Sequence, residues 1–220
     1  MSGDASVGPA ARAGLAYYGA ISAALSHEMR NVVAAMNENA GLLGDFAAAA
    51  GKGRPIDPAR LDVVHGRVAR FVARSDRLLS CFSRLAHAVD DEWRAVDLAE
   101  AAEDVVILAG RIIAARGREV TVVAPAATTV TTSPLFVRAL LWRCIEVALN
   151  DPGRDAGVTV VVAARAGGGE IRIGAGDGEV WRGRDMPDEL DLDLCALAAC
   201  SMRVDGRTGG LVLAWEDSPE

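Results

Sequence analysis

The stretch LSHEMRNVVAAMNENAGLLGDF, residues 25–46, decides how the first half of the chain is read. Its large apolar residues return in steps of three and four. Traced back to Leu15, the pattern resolves into two seams. One is Leu15, Ser22, Met29, Met36 and Leu43; its companion is Tyr18, Leu25, Val32, Asn39 and Phe46. A seven-residue repeat of this kind marks a helix that packs along a narrow stripe against other helices. Ser22 and Asn39 are its polar exceptions. The helix is expected to stop within AAAAGKGRP, where Gly51 and Gly53 favour termination and Pro55 forbids continuation.

A second helix is predicted from DPARLD. Asp57 suits the N-cap, and Pro58 suits the first helical position, where its missing N–H costs nothing. Its seams are Leu61, Val68, Ser75, Phe82, Val89 and Val64, Phe71, Leu78, Leu85. The short connection makes the two helices an antiparallel hairpin. Two long helices with narrow stripes bury little alone, so a homodimer joining two hairpins into a four-helix bundle is expected.

After HAVDDEWRAVDL the pattern changes. Residues 97–116 read as a helix, EVTVVAP and ATTVTT as strands, and PLFVRALLWRCIEVALN, residues 134–150, as a helix. GVTVVVAARAGGGEIRIGAG reads as two strands around a glycine turn, residues 188–203 as a helix, and GGLVLAW as a last strand. The fold expected is thus α + α/β. Residues 1–12 are a disordered lead-in, 13–91 the helical hairpin, and 92–220 a small α/β sandwich of one mixed sheet with helices on one face.

With 23 Lys and Arg against 30 Asp and Glu, the formal charge is −7, which disfavours nucleic acid as a partner. No stretch is long and apolar enough to span a bilayer, and the N-terminus lacks the cationic and apolar run of a signal peptide. Cys81, Cys144, Cys195 and Cys200 have neither C-x-x-C spacing nor histidine at ligand spacing. Free thiols in a reducing cytoplasm are expected, with no zinc site and no disulfide framework.

The chemistry in the first helix centres on His27. With Met29 and Val32 on the seams, His27 falls on the outer face and Asn31 lies one turn further along that face. Glu28 flanks the seam beside it, and Arg30 is within reach. An exposed neutral imidazole is a good nucleophile toward phosphorus. A neighbouring carboxylate, Glu28, can take the proton of the other ring nitrogen. Arg30 can hold a phosphoryl group, and the Asn31 amide can orient a water or a phosphoryl oxygen. His65, beside Val64, and His87, near the end of the second helix, read as structural or surface residues.

LSHEMRN, residues 25–31, resembles the phosphoacceptor box of sensor histidine kinases: a histidine, an acidic residue and an arginine–asparagine pair ahead of an apolar helix. The hairpin resembles their dimerisation and histidine-phosphotransfer domain, and the second half resembles their ATP-binding domain in its order of elements. The resemblance implies that His27 is phosphorylated, that Glu28 is its acid/base partner, and that Asn31 stands where phosphatase-competent members orient a water.

The second half departs from that family at each nucleotide motif. The first motif places two asparagines ahead of an alanine, the second of them a magnesium ligand. Aligned on Ala148, those positions hold Arg143 and Val147, and valine has no oxygen donor. Asn150 is out of register. The aspartate that reads adenine is replaced by Gly174, with Gly176 and Gly178 following and Asp177 displaced. Asp191 and Asp193 stand where a glycine loop would cradle phosphates. The lid segment between Val180 and Asp188 is short. ATP binding is therefore expected to be lost, with no cofactor of the chain's own and magnesium carried by the partner.

An intact phosphoacceptor box beside a degenerate nucleotide domain resembles the two-domain histidine phosphotransferases of phosphorelays. That resemblance implies a cytoplasmic homodimer relaying phosphoryl groups between receiver-domain aspartates and His27. Its partners would be response-regulator receivers and an upstream hybrid kinase, with no nucleic acid and no membrane. The alternatives are a kinase or phosphatase of the same fold, or a non-enzymatic dimeric scaffold that sequesters signalling partners.

Overall fold

Both heptad patterns are helical in the computed structural model, which describes residues 8–90, 92–150, 157–175 and 186–216. Helix α1 spans Pro9–Gly51 and α2 spans Pro58–Ala86, followed by a single 3-10 turn, His87–Val89. α1 starts earlier than expected. Pro9 opens it, as proline does at a first helical position, so residues 9–12 belong to the helix and not to a lead-in. Ala10 is already buried in the core. Asp57 caps α2 by accepting from the Ala59 N–H at 3.0 Å.

The inward seam of the hairpin buries Leu25, Val32 and Asn39 of α1 and Val64, Leu78 and Leu85 of α2. The polar residues on the seams are tolerated because each donates back to the carbonyl four residues earlier: Ser22 to Tyr18 at 2.8 Å, Asn39 to Ala35 at 2.7 Å, Ser75 to Phe71 at 2.8 Å. The Asn39 amide oxygen stays buried without a partner.

The remaining elements are β1 (Arg94–Asp97), α3 (Leu98–Leu108), α4 (Gly110–Ala115), β2 (Val120–Val123), β3 (Thr129–Thr132), α5 (Pro134–Leu149), β4 (Val158–Arg165), β5 (Gly168–Ala175), α6 (Glu189–Leu197), β6 (Ser201–Val204) and β7 (Leu211–Glu216). The main sheet has the order β2-β4-β5-β7-β6; only β2 and β4 are parallel neighbours. Valines 158, 160 and 162, Ile171, Ile173, Leu211, Leu213 and Trp215 turn one face of it into the core with α3 and α5.

Three expectations are corrected. The 97–116 helix is two helices, broken at Ala109–Gly110. ATTVTT does not join the main sheet; β3 pairs antiparallel with β1, a four-residue strand too short to show a period. The 188–203 helix ends at Leu197 and its last residues form strand β6. Ala199 takes a left-handed conformation, φ 46°, while the Cys200 and Ala199 N–H groups bond back to Cys195 and Ala196, a Schellman ending without glycine. The small sheet seats closely on β5 at Gly169, where a Cβ would come within 2.8 Å of Leu98 and Thr128.

The base of the hairpin is built into the second half. Tyr17, Ile21, Cys81 and Leu85 share one core with α3 and α5. At its centre lies Asp104 of α3, fully buried. It accepts from Arg84 of α2 at 3.0 Å and from Arg138 of α5 at 2.9 Å; Arg138 also donates to the Pro134 carbonyl. Asp104 and Arg138 form a fully buried pair, while Arg84 reaches Asp104 from the surface and also meets Glu100 at 3.4 Å. Burial pushes the Tyr17 hydroxyl pKa up. Burial, with Asp104 nearby, raises the Cys81 thiol to about 11.

Candidate functional site

His27 is exposed on α1, on the side of the helix away from the seams. The 3.6-residue turn places Arg30 on one side of it and Asn31 on the other, and both are exposed. The Asn31 amide nitrogen lies 3.3 Å from His27 Nδ1. With the amide donating, Nδ1 is the acceptor and the ring proton sits on Nε2. With the amide turned over, its oxygen accepts a hydrogen bond from Nδ1–H and Nε2 keeps a free lone pair. Asn31 is therefore the group placed to choose the tautomer.

Glu28 is placed differently from the sequence reading. Its carboxylate binds Arg74 of α2 at 2.8 Å, half-buried at the flank of the hairpin. It is engaged across the helix pair and not with His27, because the residue following His27 projects about 100° further round the helix. Asn31, one turn on, takes the ring contact instead. Arg74 was missed by the sequence reading, although its position was readable. It precedes the seam residue Ser75 just as Glu28 precedes Met29, and equivalent flanks of an antiparallel pair meet.

A second polar cluster forms at the other predicted site. Arg143 on α5 donates through Nε to Asp191 and through NH2 to Asp188 at 2.6 Å. Asp188 and Asp191 close a capping box on α6, each side chain accepting from the other's backbone N–H at 2.9 Å. Asp191 is fully buried. Burial opposes the charge on Arg143, but the bonds to Asp191 and Asp188 outweigh it and raise its pKa. Asp188 lies below the ordinary carboxylate range. Desolvation pushes it up, and the Asp191 N–H together with Arg143 outweighs that. Arg143 also lines a groove of about 520 Å³ between α1 and α4, α5 and α6, walled by Ala16, Tyr17, Ala20, Trp142 and Glu146.

Of the other singled-out residues, Val147 is half-buried, Asp193 and Asn150 are exposed, and Gly174 lies in β5 opposite Thr159. Gly176, Asp177, Gly178 and residues 180–185 of the lid stretch lie outside the described residues. His65 is exposed, and His87 Nδ1 pairs with Asp90 at 2.7 Å. All four cysteines are free thiols. Among the described residues no cluster of His, Cys, Asp or Glu has the form of a metal site, and no helix is long and apolar enough to cross a membrane.

No protein-family profile matches the chain, and no curated protein does. Solved structures similar to it include the histidine kinase AdeS of Acinetobacter baumannii. That structure is 10% identical over 88% of this chain and 98% of its own, at a TM-score of 0.48. A bacterial phosphotransferase is 13% identical over 91% of this chain and 95% of its own, at 0.45. The ATP binding domain of PrrB from Mycobacterium tuberculosis is 19% identical over 59% of this chain and all of its own, at 0.46.

Proposed function

We propose that this chain is a histidine phosphotransferase of two-component signalling, carrying phosphoryl groups between receiver-domain aspartates and His27. The observation that carries the reading is the outward-facing His27 with the Asn31 amide on Nδ1. With the amide oxygen on the Nδ1 proton, Nε2 attacks the phosphorus of an aspartyl phosphate in line. The N–P bond forms as the acyl P–O bond breaks, and the aspartate leaves as a carboxylate. The Nδ1 proton stays on the ring, hydrogen-bonded to the Asn31 oxygen, and is lost from the imidazolium to water, leaving a neutral phosphohistidine ring that a second receiver aspartate attacks in the reverse sense. Arg30, which has no ion pair among the described residues, offers a guanidinium to the phosphoryl oxygens. Glu28 acts indirectly, holding Arg74 against the flank of the site.

The Arg143 cluster supports a donor other than ATP. Val147 supplies no oxygen to magnesium, and two carboxylates occupy Arg143, the cation at the first motif. These residues do not fit a magnesium nucleotide, and in this reading the receiver brings its own metal. The homodimer is supported by apolar side chains left open on one side of the hairpin: Leu15, Val33 and Leu43 of α1 and Leu61, Val72 and Leu79 of α2. A second hairpin laid on that side completes the bundle.

The test is to incubate the protein with phosphorylated receiver domains and map acid-labile phosphate. His27 is expected to carry it, and His27→Ala to lose it; no label from any receiver sinks the relay. The position of Asn31 also suits a phosphatase. Receiver dephosphorylation that disappears in Asn31→Ala, with no phosphohistidine formed, would favour that second reading.

A further inference from the structure

The chain is acidic overall, yet α2 carries Arg60, Arg67, Arg70, Arg74, Arg77 and Arg84 against only Asp62 and Asp76. Arg84 is consumed by Asp104. The steps from Arg67 to Arg70, Arg74 and Arg77 are three, four and three, so these four share one face, with Arg60 a heptad below Arg67. All five are exposed. Arg74 is bound by Glu28, which fixes where that face points: along the flank of α1, at the height of His27. In an antiparallel pair Arg70 and Arg77 then lie about one turn either side of that height, and Arg67 roughly 10 Å along the axis. Arg67, Arg70 and Arg77 form no ion pair among the described residues. Like charges at these spacings repel and weaken an isolated helix. Among the described residues, Glu28 is the carboxylate that pairs with this row.

We infer that this arginine row is a docking track for the acidic face of the phosphoryl donor. The inference rests on the relay reading of His27. An aspartyl phosphate is itself an anion, and a divalent metal beside it requires further oxygen ligands, chiefly carboxylates, so the donor presents a concentrated negative patch. The track meets that patch beside His27, and its long-range field speeds the encounter. Arg67, Arg70 and Arg77 steer the donor in and take no part in the bond exchange.

The experiment compares two donors on wild type and on the Arg67→Glu, Arg70→Glu, Arg77→Glu triple variant. One donor is a receiver domain phosphorylated with acetyl phosphate; the other is phosphoramidate, a small donor that needs no docking. Transfer from the receiver to wild type is expected to slow roughly tenfold or more between about 0.05 and 0.5 M salt. The variant should be as slow at low salt as wild type is at high salt, with phosphoramidate labelling of His27 unchanged. A wild-type rate indifferent to salt overturns the track without any variant. So does a correctly folded variant with the wild-type rate and salt slope. Failure of every receiver to label wild type sinks the relay and the track together, whereas the first two outcomes leave the relay standing. Salt-sensitive binding of an oligonucleotide that the same variant abolishes would also overturn the assignment to a protein partner.

Discussion

The two polar clusters of this molecule use similar groups to opposite ends. Arg143, Asp188 and Asp191 bond one another and cap a helix, so their hydrogen-bonding capacity is turned inward. His27, Arg30 and Asn31 touch one another once, at 3.3 Å, and otherwise face solvent. A cluster that satisfies itself stabilises the fold and has little left for a ligand; one that leaves donors and lone pairs open gains its partners on contact. The difference follows from burial. Asp191 is enclosed, where an unpaired charge is costly, while His27 stands where water meets every open valence at no cost.

The largest break in that contrast is expected from His27→Ala: phosphoryl labelling disappears while stability stays within about 0.5 kcal/mol, since the side chain is exposed. Labelling and urea unfolding measure the two. Asn31→Ala should slow transfer by about 10²-fold, the low end for one preorganised dipole aimed at charge developing in the transition state, with no loss of fold. Single-turnover transfer from a phosphorylated receiver reads it. Asp191→Ala should show the converse pattern. Taking the buried one of the two carboxylates from Arg143, and leaving α6 without its box, should cost about 3 kcal/mol in urea unfolding, with phosphoramidate labelling of His27 intact. If Asp191→Ala instead abolishes labelling at undiminished stability, the inward cluster is not merely structural. Val72→Glu with Leu79→Glu should turn a sedimenting dimer into a monomer, placing charge on the open apolar side of the hairpin. The smallest effect is in pH. The Asp188 pKa is depressed, so its contribution is complete above the ordinary carboxylate value and is lost as pH falls through the lowered one. Arg143→Met should move the Asp188 titration back up, as seen by carboxyl NMR.

The hairpin and the outward placement of His27 and Asn31 were legible because a helix imposes one period over dozens of residues, and the seams fix what faces away. The break at Gly110 and strand β6 were not legible. Both lie in runs of a few residues, where a local ending outweighs the average pattern: the left-handed Ala199 stops α6 without the glycine that usually announces it. The Glu28–Arg74 contact was missed for a related reason. Adjacency in sequence was read as adjacency of side chains, whereas successive residues on a helix diverge and the Arg74 flank collects the carboxylate. Asp104, Arg84 and Arg138 come from three separate helices, and no spacing along the chain joins them.

That trio has a mechanical consequence. Asp104 ties α2 to α5 through Arg84 and the buried Arg138, so the base of the hairpin resists bending. Swinging the sheet along the hairpin would break Asp104 away from Arg84 and strain its buried pair with Arg138. Tyr17, which walls the groove beside Arg143, precedes His27 by ten residues, roughly 15 Å of helix. In-line transfer requires atoms about 3–3.5 Å apart. Nothing lodged in that groove reaches the histidine of its own chain while the joint holds, and His27, midway along α1, is left as a fixed post to which a carrier must travel.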